Sequence, residues 1–141
     1  MLDVDPRVVA ALDRDLVGFL TAVSQAGQPQ TSPVWFLRQG DDLIVYNQPT
    51  TARLTSIALN PKVAFNLRAD PLARGAVTLE GTARVDPGLP PAHELADYVA
   101  KYGDEISRLG WTPNSFSDEY SVAIRIEVTR VRKWGVKALD E

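Results

Sequence analysis

The sequence predicts a mainly β fold, an antiparallel barrel carrying short helices at its periphery. Three observations point there. Six runs of the chain have strand patterning, most of them joined by short polar turns. Roughly four short helical segments are inserted between or beside them, which suits a barrel with peripheral helices. The βαβ alternation with a glycine-rich first turn, which a doubly wound sheet requires, is missing.

Asp5 before Pro6 reads as an N-cap with proline at the first helical position, opening a short helix. Val9, Leu12 and Leu16 recur at spacings of three and four, so one face is apolar. The helix is expected to end near Asp15, because Val17 to Val23 has the composition of a strand. Gly27 then supplies the positive φ of a turn within Ser24–Gln28. A second strand is expected from about Gln30 to Arg38 and a third from Leu43 to Asn47, across the turn Gln39-Gly40-Asp41-Asp42. Three consecutive strands so joined make an antiparallel meander.

Gln48-Pro49-Thr50-Thr51 interrupts that pattern. Thr50 or Thr51 can cap a helix from Ala52 to Leu59, which Asn60-Pro61 stops. Lys62 to Leu67 is a fourth strand, with Val63, Phe65 and Leu67 alternating, and Ala76 to Val85 is a fifth. Asp86-Pro87-Gly88-Leu89-Pro90-Pro91 reads as an ordered turn into a helix from Ala92 to about Tyr102. Thr112-Pro113 opens one more helix, through Phe116. The last strand carries Val122, Ala123, Ile124, Ile126, Val128 and Val131, with Arg125 and Glu127 facing the other way. The expected organisation is a single domain over 1–141: a helix in 1–16, barrel strands with one inserted helix in 17–86, a helical insertion in 92–119 and the final strand in 120–134.

Composition narrows the function. A chain of 141 residues with 45% hydrophobic and 23% charged residues is ordinary for one globular domain. A net charge of −3 and a pI near 5.2 argue against a nucleic-acid partner. The absence of cysteine excludes disulfides, thiolate nucleophiles and zinc–thiolate sites, and suits a reducing cytoplasm. The acidic N-terminal stretch is not expected to act as a signal peptide, and no apolar run approaches the ~20 residues of a membrane span. A soluble cytoplasmic protein without a membrane partner is expected.

Side-chain chemistry is scarce. His93 is the only histidine, and a solvated position at a helix start is its plainer reading. Asp41-Asp42 and Asp104-Glu105 are adjacent carboxylates beside glycines, whose side chains point apart in turns. No P-loop, EF-hand, HExxH or GxSxG motif occurs, so neither a catalytic residue nor a metal site is assigned. A cofactor that brings its own reactivity fits such a chain.

Two segments carry a binding signal. Thr31-Ser32-Pro33-Val34-Trp35-Phe36 places a proline inside a strand, which demands an edge or a bulge and leaves neighbouring backbone free for a ligand. Trp35 adds a flat surface, although a core tryptophan behind an edge proline explains it equally well. Asn47-Gln48-Pro49-Thr50-Thr51-Ala52-Arg53 gathers amides, hydroxyls and a guanidinium at a helix N-terminus, a natural phosphate site. An ordinary capped helix with a solvated arginine is the plainer alternative.

The run Gly27-x-Pro29-x-x-Ser32-Pro33-Val34-Trp35-Phe36, a helix holding a basic residue, then Asn60-Pro61-Lys62-Val63 and Glu80-Gly81-Thr82-Ala83, resembles the pyridoxamine 5′-phosphate oxidase-like superfamily. Leu109-Gly110-Trp111-Thr112-Pro113, Tyr120 to Arg125 and Thr129 to Arg132 are similar, more narrowly, to its actinobacterial coenzyme F-420-dependent oxidoreductases. The resemblance spans about Val17 to Trp134. It implies a six-stranded split β-barrel of the FMN-binding type with a Greek-key core, paired as a homodimer with two cofactor sites at the interface. By the same resemblance Arg53, standing where lysine is often found, contacts the cofactor phosphate, with Asn47, Gln48, Thr50 and Thr51 beside it. Ser32, Pro33, Val34 and Trp35 lie along the cofactor ring, and Arg74 approaches from the partner subunit. The fuller basic set of true pyridoxamine-phosphate oxidases is absent, so that activity is not expected. The implied function is hydride transfer between F-420, with FMN as the alternative, and an unsaturated small organic substrate. A non-catalytic carrier of flavin, deazaflavin or haem is the alternative of another class.

Overall fold

The computed structural model describes residues 5–140. Residues 1–4 of the expected N-terminal segment, and Glu141, lie outside the described residues. The elements are α1 (Pro6–Arg14), β1 (Gly18–Val23), β2 (Pro29–Val34), β3 (Leu37–Gln39), β4 (Asp42–Asn47), α2 (Ala52–Leu59), β5 (Lys62–Leu67), β6 (Ala76–Val85), α3 (Ala96–Arg108), α4 (Pro113–Glu119) and β7 (Val122–Trp134). Short 3-10 turns cover Ala92–Glu94 and Val136–Asp140. Asp5 caps α1 as its sequence position predicts, its carboxylate accepting from the Arg7 amide at 2.8 Å. No described helix is long and apolar enough to cross a membrane.

All strand pairs are antiparallel, in the order β2-β1-β5-β6-β7-β4-β3. The sheet has seven strands, not the expected six, because the predicted run from Gln30 to Arg38 is two strands. β2 and β3 lie at opposite edges of the sheet, yet only Trp35 and Phe36 separate them in the chain. Laid flat, seven strands would hold those edges roughly 29 Å apart. The three Cα steps from Val34 to Leu37 reach only about 11 Å. The sheet therefore curls until its edges meet, as a half-barrel. The expected meander fails for the same reason. β4 pairs with β3 and β7, and β2 pairs with β1 alone. Pro33 sits opposite Phe19 on the edge strand β2, where its missing N–H costs no ladder bond.

Inside the curl, Val8 and Leu12 of α1 pack with Leu20, Phe36, Leu43, Phe65, Leu79 and Ile124. A second cluster lies on the outer face, where Leu37, Ile44, Tyr46 and Ala123 meet Tyr98, Tyr102, Ile106 and Phe116 from α3 and α4. β4 is thus buried on both faces, which explains its unbroken Leu43-Ile44-Val45-Tyr46 run. The helix expected over Ala92–Tyr102 is instead the 3-10 turn followed by α3, with extended Leu95 between them. α3 runs through Gly103 and ends before Gly110, whose φ of 87° suits glycine. α4 opens on a Thr112–Ser115 capping box and continues to Glu119, beyond the expected Phe116. Gly81 marks a register shift between β6 and β7, and a Cβ there would strike the Glu127 carbonyl.

Two α3 side chains fasten the crossover between the edges. The Tyr102 hydroxyl accepts from the Phe36 amide at 2.8 Å and lies 2.6 Å from the Leu16 carbonyl, to which it donates. Lys101 Nζ donates to the Leu12 carbonyl at 3.1 Å and the Phe36 carbonyl at 3.0 Å, 3.9 Å from the Phe36 ring centroid. Burial lowers the Lys101 ammonium from 10.5 to about 8, against the opposing pull of Asp13 and Asp15.

Two outcomes follow from this fastening. Tyr102→Phe leaves the buried Phe36 amide without its acceptor and should lower unfolding free energy by about 1–3 kcal/mol, read by urea denaturation. For Lys101, the unfolded chain binds more protons than the folded one between the two pKa values, so its contribution to stability rises with pH. Tyr46, pushed up to about 12 by burial, works in the opposite sense only above its ordinary value of 10.0. Melting curves of wild type and Lys101→Met between about pH 7.5 and 9.5 should therefore converge or separate in favour of wild type as pH rises.

Candidate functional site

The curl and the α3–α4 insertion enclose a cavity of about 390 Å³. One end is polar and built by two short segments. β2 brings Pro33, Val34 and the following Trp35, while the end of β4 and the start of α2 bring Asn47, Gln48, Thr51 and Arg53. The segments are joined through Arg53. Its guanidinium donates to Asn47 Oδ1 at 2.5 Å and to Ser32 Oγ at 2.7 Å. Asn47 is 2% exposed, and its amide nitrogen donates to the carbonyls of Val45 at 3.0 Å and Val122 at 3.1 Å. With every partner met, that amide holds the guanidinium in one orientation.

Arg53 is half-buried, and among the described residues no carboxylate pairs with it. Burial alone lowers its pKa, but a guanidinium keeps its charge at any ordinary pH. Thr51 occupies the N-cap position of α2 without making a side-chain capping bond, so its hydroxyl is uncommitted beside the cation. An uncompensated fork next to a helix N-terminus is chemically an anion site.

The other end is apolar and aromatic: Tyr98, Ile106 and Leu109 of the α3 region, then Trp111, Phe116 and Tyr120. Trp35 stacks on Tyr102 at 4.6 Å and on Phe116 at 5.6 Å, and Phe116 stacks on Tyr120 at 4.7 Å.

Seven of the ten residues proposed from sequence line this one cavity: Pro33, Val34, Trp35, Asn47, Gln48, Thr51 and Arg53. Ser32 stands behind them and orients Arg53. Thr50 is exposed and outside the lining. Arg74 is elsewhere, bonded to Asp70 by two nitrogens at 2.7 and 2.9 Å, an arrangement that holds the Asp70 carboxyl well below its usual range. His93 is also outside the cavity. It sits in the 3-10 turn rather than on a solvated helix face, and its Nδ1 is buried with no partner among the described residues. The aromatic wall was missed by sequence reasoning. The density of Tyr98, Tyr102, Trp111, Phe116 and Tyr120 in a short segment was its signal.

The sequence profile of the pyridoxamine 5′-phosphate oxidase family matches residues 4–135. The chain belongs to that family. Among curated proteins, none matches it. Solved structures of the same fold include a protein named F420 reductase, 23% identical with a TM-score of 0.64, covering 87% of this chain and 94% of that one. An FAD-binding protein of Mesorhizobium loti is 21% identical with a TM-score of 0.65, covering 89% of each chain. HutZ, the haem storage protein of Vibrio cholerae, is 15% identical with a TM-score of 0.64, covering 91% of this chain and 92% of that one. This family member thus shares its half-barrel with proteins named for different cofactors.

If Arg53 is the anion-binding centre, inorganic phosphate should stabilise the protein through it. At constant ionic strength, saturating phosphate should raise the wild-type Tm by about 3 °C or more. Arg53→Gln, which still offers an amide donor to Asn47 and Ser32, should lose that rise.

Proposed function

We propose that this protein is a flavin- or deazaflavin-dependent oxidoreductase, passing a hydride between a bound cofactor and an unsaturated small organic substrate. The observation that carries the reading is Arg53, a half-buried guanidinium without a carboxylate partner among the described residues, at the polar end of an otherwise aromatic cavity. A cofactor with a phosphate and a large flat ring fits the polar end, leaving the aromatic end to the substrate. Arg53, Gln48 and Thr51 would hold the phosphate, and the backbone of Pro33 to Trp35 would lie along the ring. The cofactor supplies the hydride chemistry; the side chains bind, orient and exclude water. That division suits a cavity without histidine or carboxylate in its lining.

Coenzyme F-420 is preferred over FMN on the resemblance of the Leu109–Pro113 and Tyr120–Arg132 stretches, and the F420 reductase of the same fold supports it. We further propose a homodimer. The edge strand β2 exposes residues on both faces. Leu16 and Val17, 38% and 39% exposed, line a second groove with Arg68, Asp70 and Pro71, and Leu72, next in the chain to Pro71, is 77% exposed. A second copy seated there would use this surface and would place Arg74 at the subunit boundary.

Titration with FMN and with F-420, followed by absorption, should give tight binding of one of them. Arg53→Ala should weaken that binding more than tenfold, a larger effect than its cost to folding from leaving the buried Asn47 Oδ1 without its donor. Tight binding of neither cofactor would sink the proposal. The haem storage relative makes a carrier the competing reading, and turnover of bound reduced cofactor with an added acceptor separates the two.

A further inference from the structure

We propose that the aromatic end of the cavity is a binding subsite for planar carbonyl compounds, with the Tyr98 hydroxyl donating a hydrogen bond to the carbonyl oxygen. Tyr98 is 1% exposed, and its ring is fixed between Tyr46 at 5.1 Å, Tyr102 at 4.9 Å and Phe116 at 6.0 Å. Its hydroxyl makes no hydrogen bond to any described residue, yet it is not sealed in the protein, and the cavity is the space that Tyr98 lines. The neighbouring hydroxyls are differently placed. Tyr46 donates to the Pro90 carbonyl at 2.6 Å, Tyr102 is committed to Leu16 and Phe36, and Tyr120 is partly exposed to solvent. Tyr98 alone among these tyrosines is both buried and unpartnered.

A polar group on a cavity wall without a partner among the described residues is an opening for a ligand atom. Burial raises the Tyr98 pKa, so the group remains a phenol and acts as a donor. The complementary ligand atom is therefore an acceptor. It is also a neutral one, because no cation among the described residues lines this end, while Ile106, Leu109, Trp111 and Phe116 would strip water from any charge. The nearly parallel rings of Trp35, Phe116 and Tyr120, with Trp111 set edge-on to Phe116 and Tyr120, favour a flat molecule. A conjugated carbonyl compound combines flatness, neutrality and one strong acceptor. As the seat of the hydride acceptor, the subsite rests on the proposed oxidoreductase function; the binding itself requires no cofactor.

The test uses the protein without cofactor. Trp35 and Trp111 are in the cavity wall, so quenching of tryptophan emission reports occupancy. The probes are 2-acetonaphthone and 2-ethylnaphthalene, alike in shape and different in the carbonyl. Wild type should bind the ketone more tightly. Tyr98→Phe should weaken ketone binding roughly five- to tenfold, leave the hydrocarbon unchanged and melt like wild type, because the hydroxyl it removes has no protein partner to orphan. Equal ketone affinity in variant and wild type, or no binding of either probe, would overturn the subsite. If the ketone preference depends on Tyr98 while FMN and F-420 both fail to bind, the subsite stands and the oxidoreductase reading falls.

Discussion

The two-residue link from β2 to β3 is the constraint on which the rest of the structure depends. Joining opposite edges of a seven-stranded sheet through Trp35 and Phe36 forces the curl, and the curl creates both an inner core and a sheltered outer cavity. Phe36 turns inward to meet Phe65 edge-on at 4.8 Å, while Trp35 turns outward against Tyr102 and Phe116. Phe36 has no ladder partner for its backbone, so Tyr102 and Lys101 supply the acceptor and donors that the sheet does not. The helical insertion thus completes the backbone hydrogen bonding of Phe36 where the chain crosses from one edge of the sheet to the other.

Legibility followed the locality of the forces. The period-two alternation of β5, the Asp5-Pro6 cap and the proline that marks an edge are properties of a few neighbouring residues, and each was readable. The split of Gln30–Arg38 was not. Val34-Trp35-Phe36-Leu37 is uninterruptedly apolar, and its break comes from which sheet edge each half joins. The unbroken Leu43–Tyr46 run did carry its message: a strand without alternation is buried on both faces, so something must cover the barrel beyond β4.

The candidate site divides in the same way. Its polar end came from two motifs, around Ser32–Trp35 and Asn47–Arg53, whose residue types suited a ligand before anything placed them together. The structure joins them through Arg53, which bonds to a residue of each. What no local pattern contained was the absence of a countercharge. A solvated arginine and an anion-binding arginine look alike in sequence. Half-burial without a carboxylate partner among the described residues distinguishes them, because a desolvated charge held by two neutral acceptors retains most of its demand for an anion.

Tyr98 and Tyr102 show how closely fold and site share one helix. They lie four residues apart, on one face of α3, with rings 4.9 Å from each other and both inside the outer cluster. Tyr102 spends its hydroxyl on the Phe36 amide and the Leu16 carbonyl, and so holds the seam of the barrel. Tyr98, one turn earlier, bonds its hydroxyl to no described residue. Removing the oxygen at the first position orphans a buried amide; removing it at the second orphans nothing. For stability alone a phenylalanine would serve nearly as well at Tyr98, since its hydroxyl bonds to no described residue. The difference between two chemically identical side chains is thus a difference of partner, one inside the protein and one supplied from the cavity.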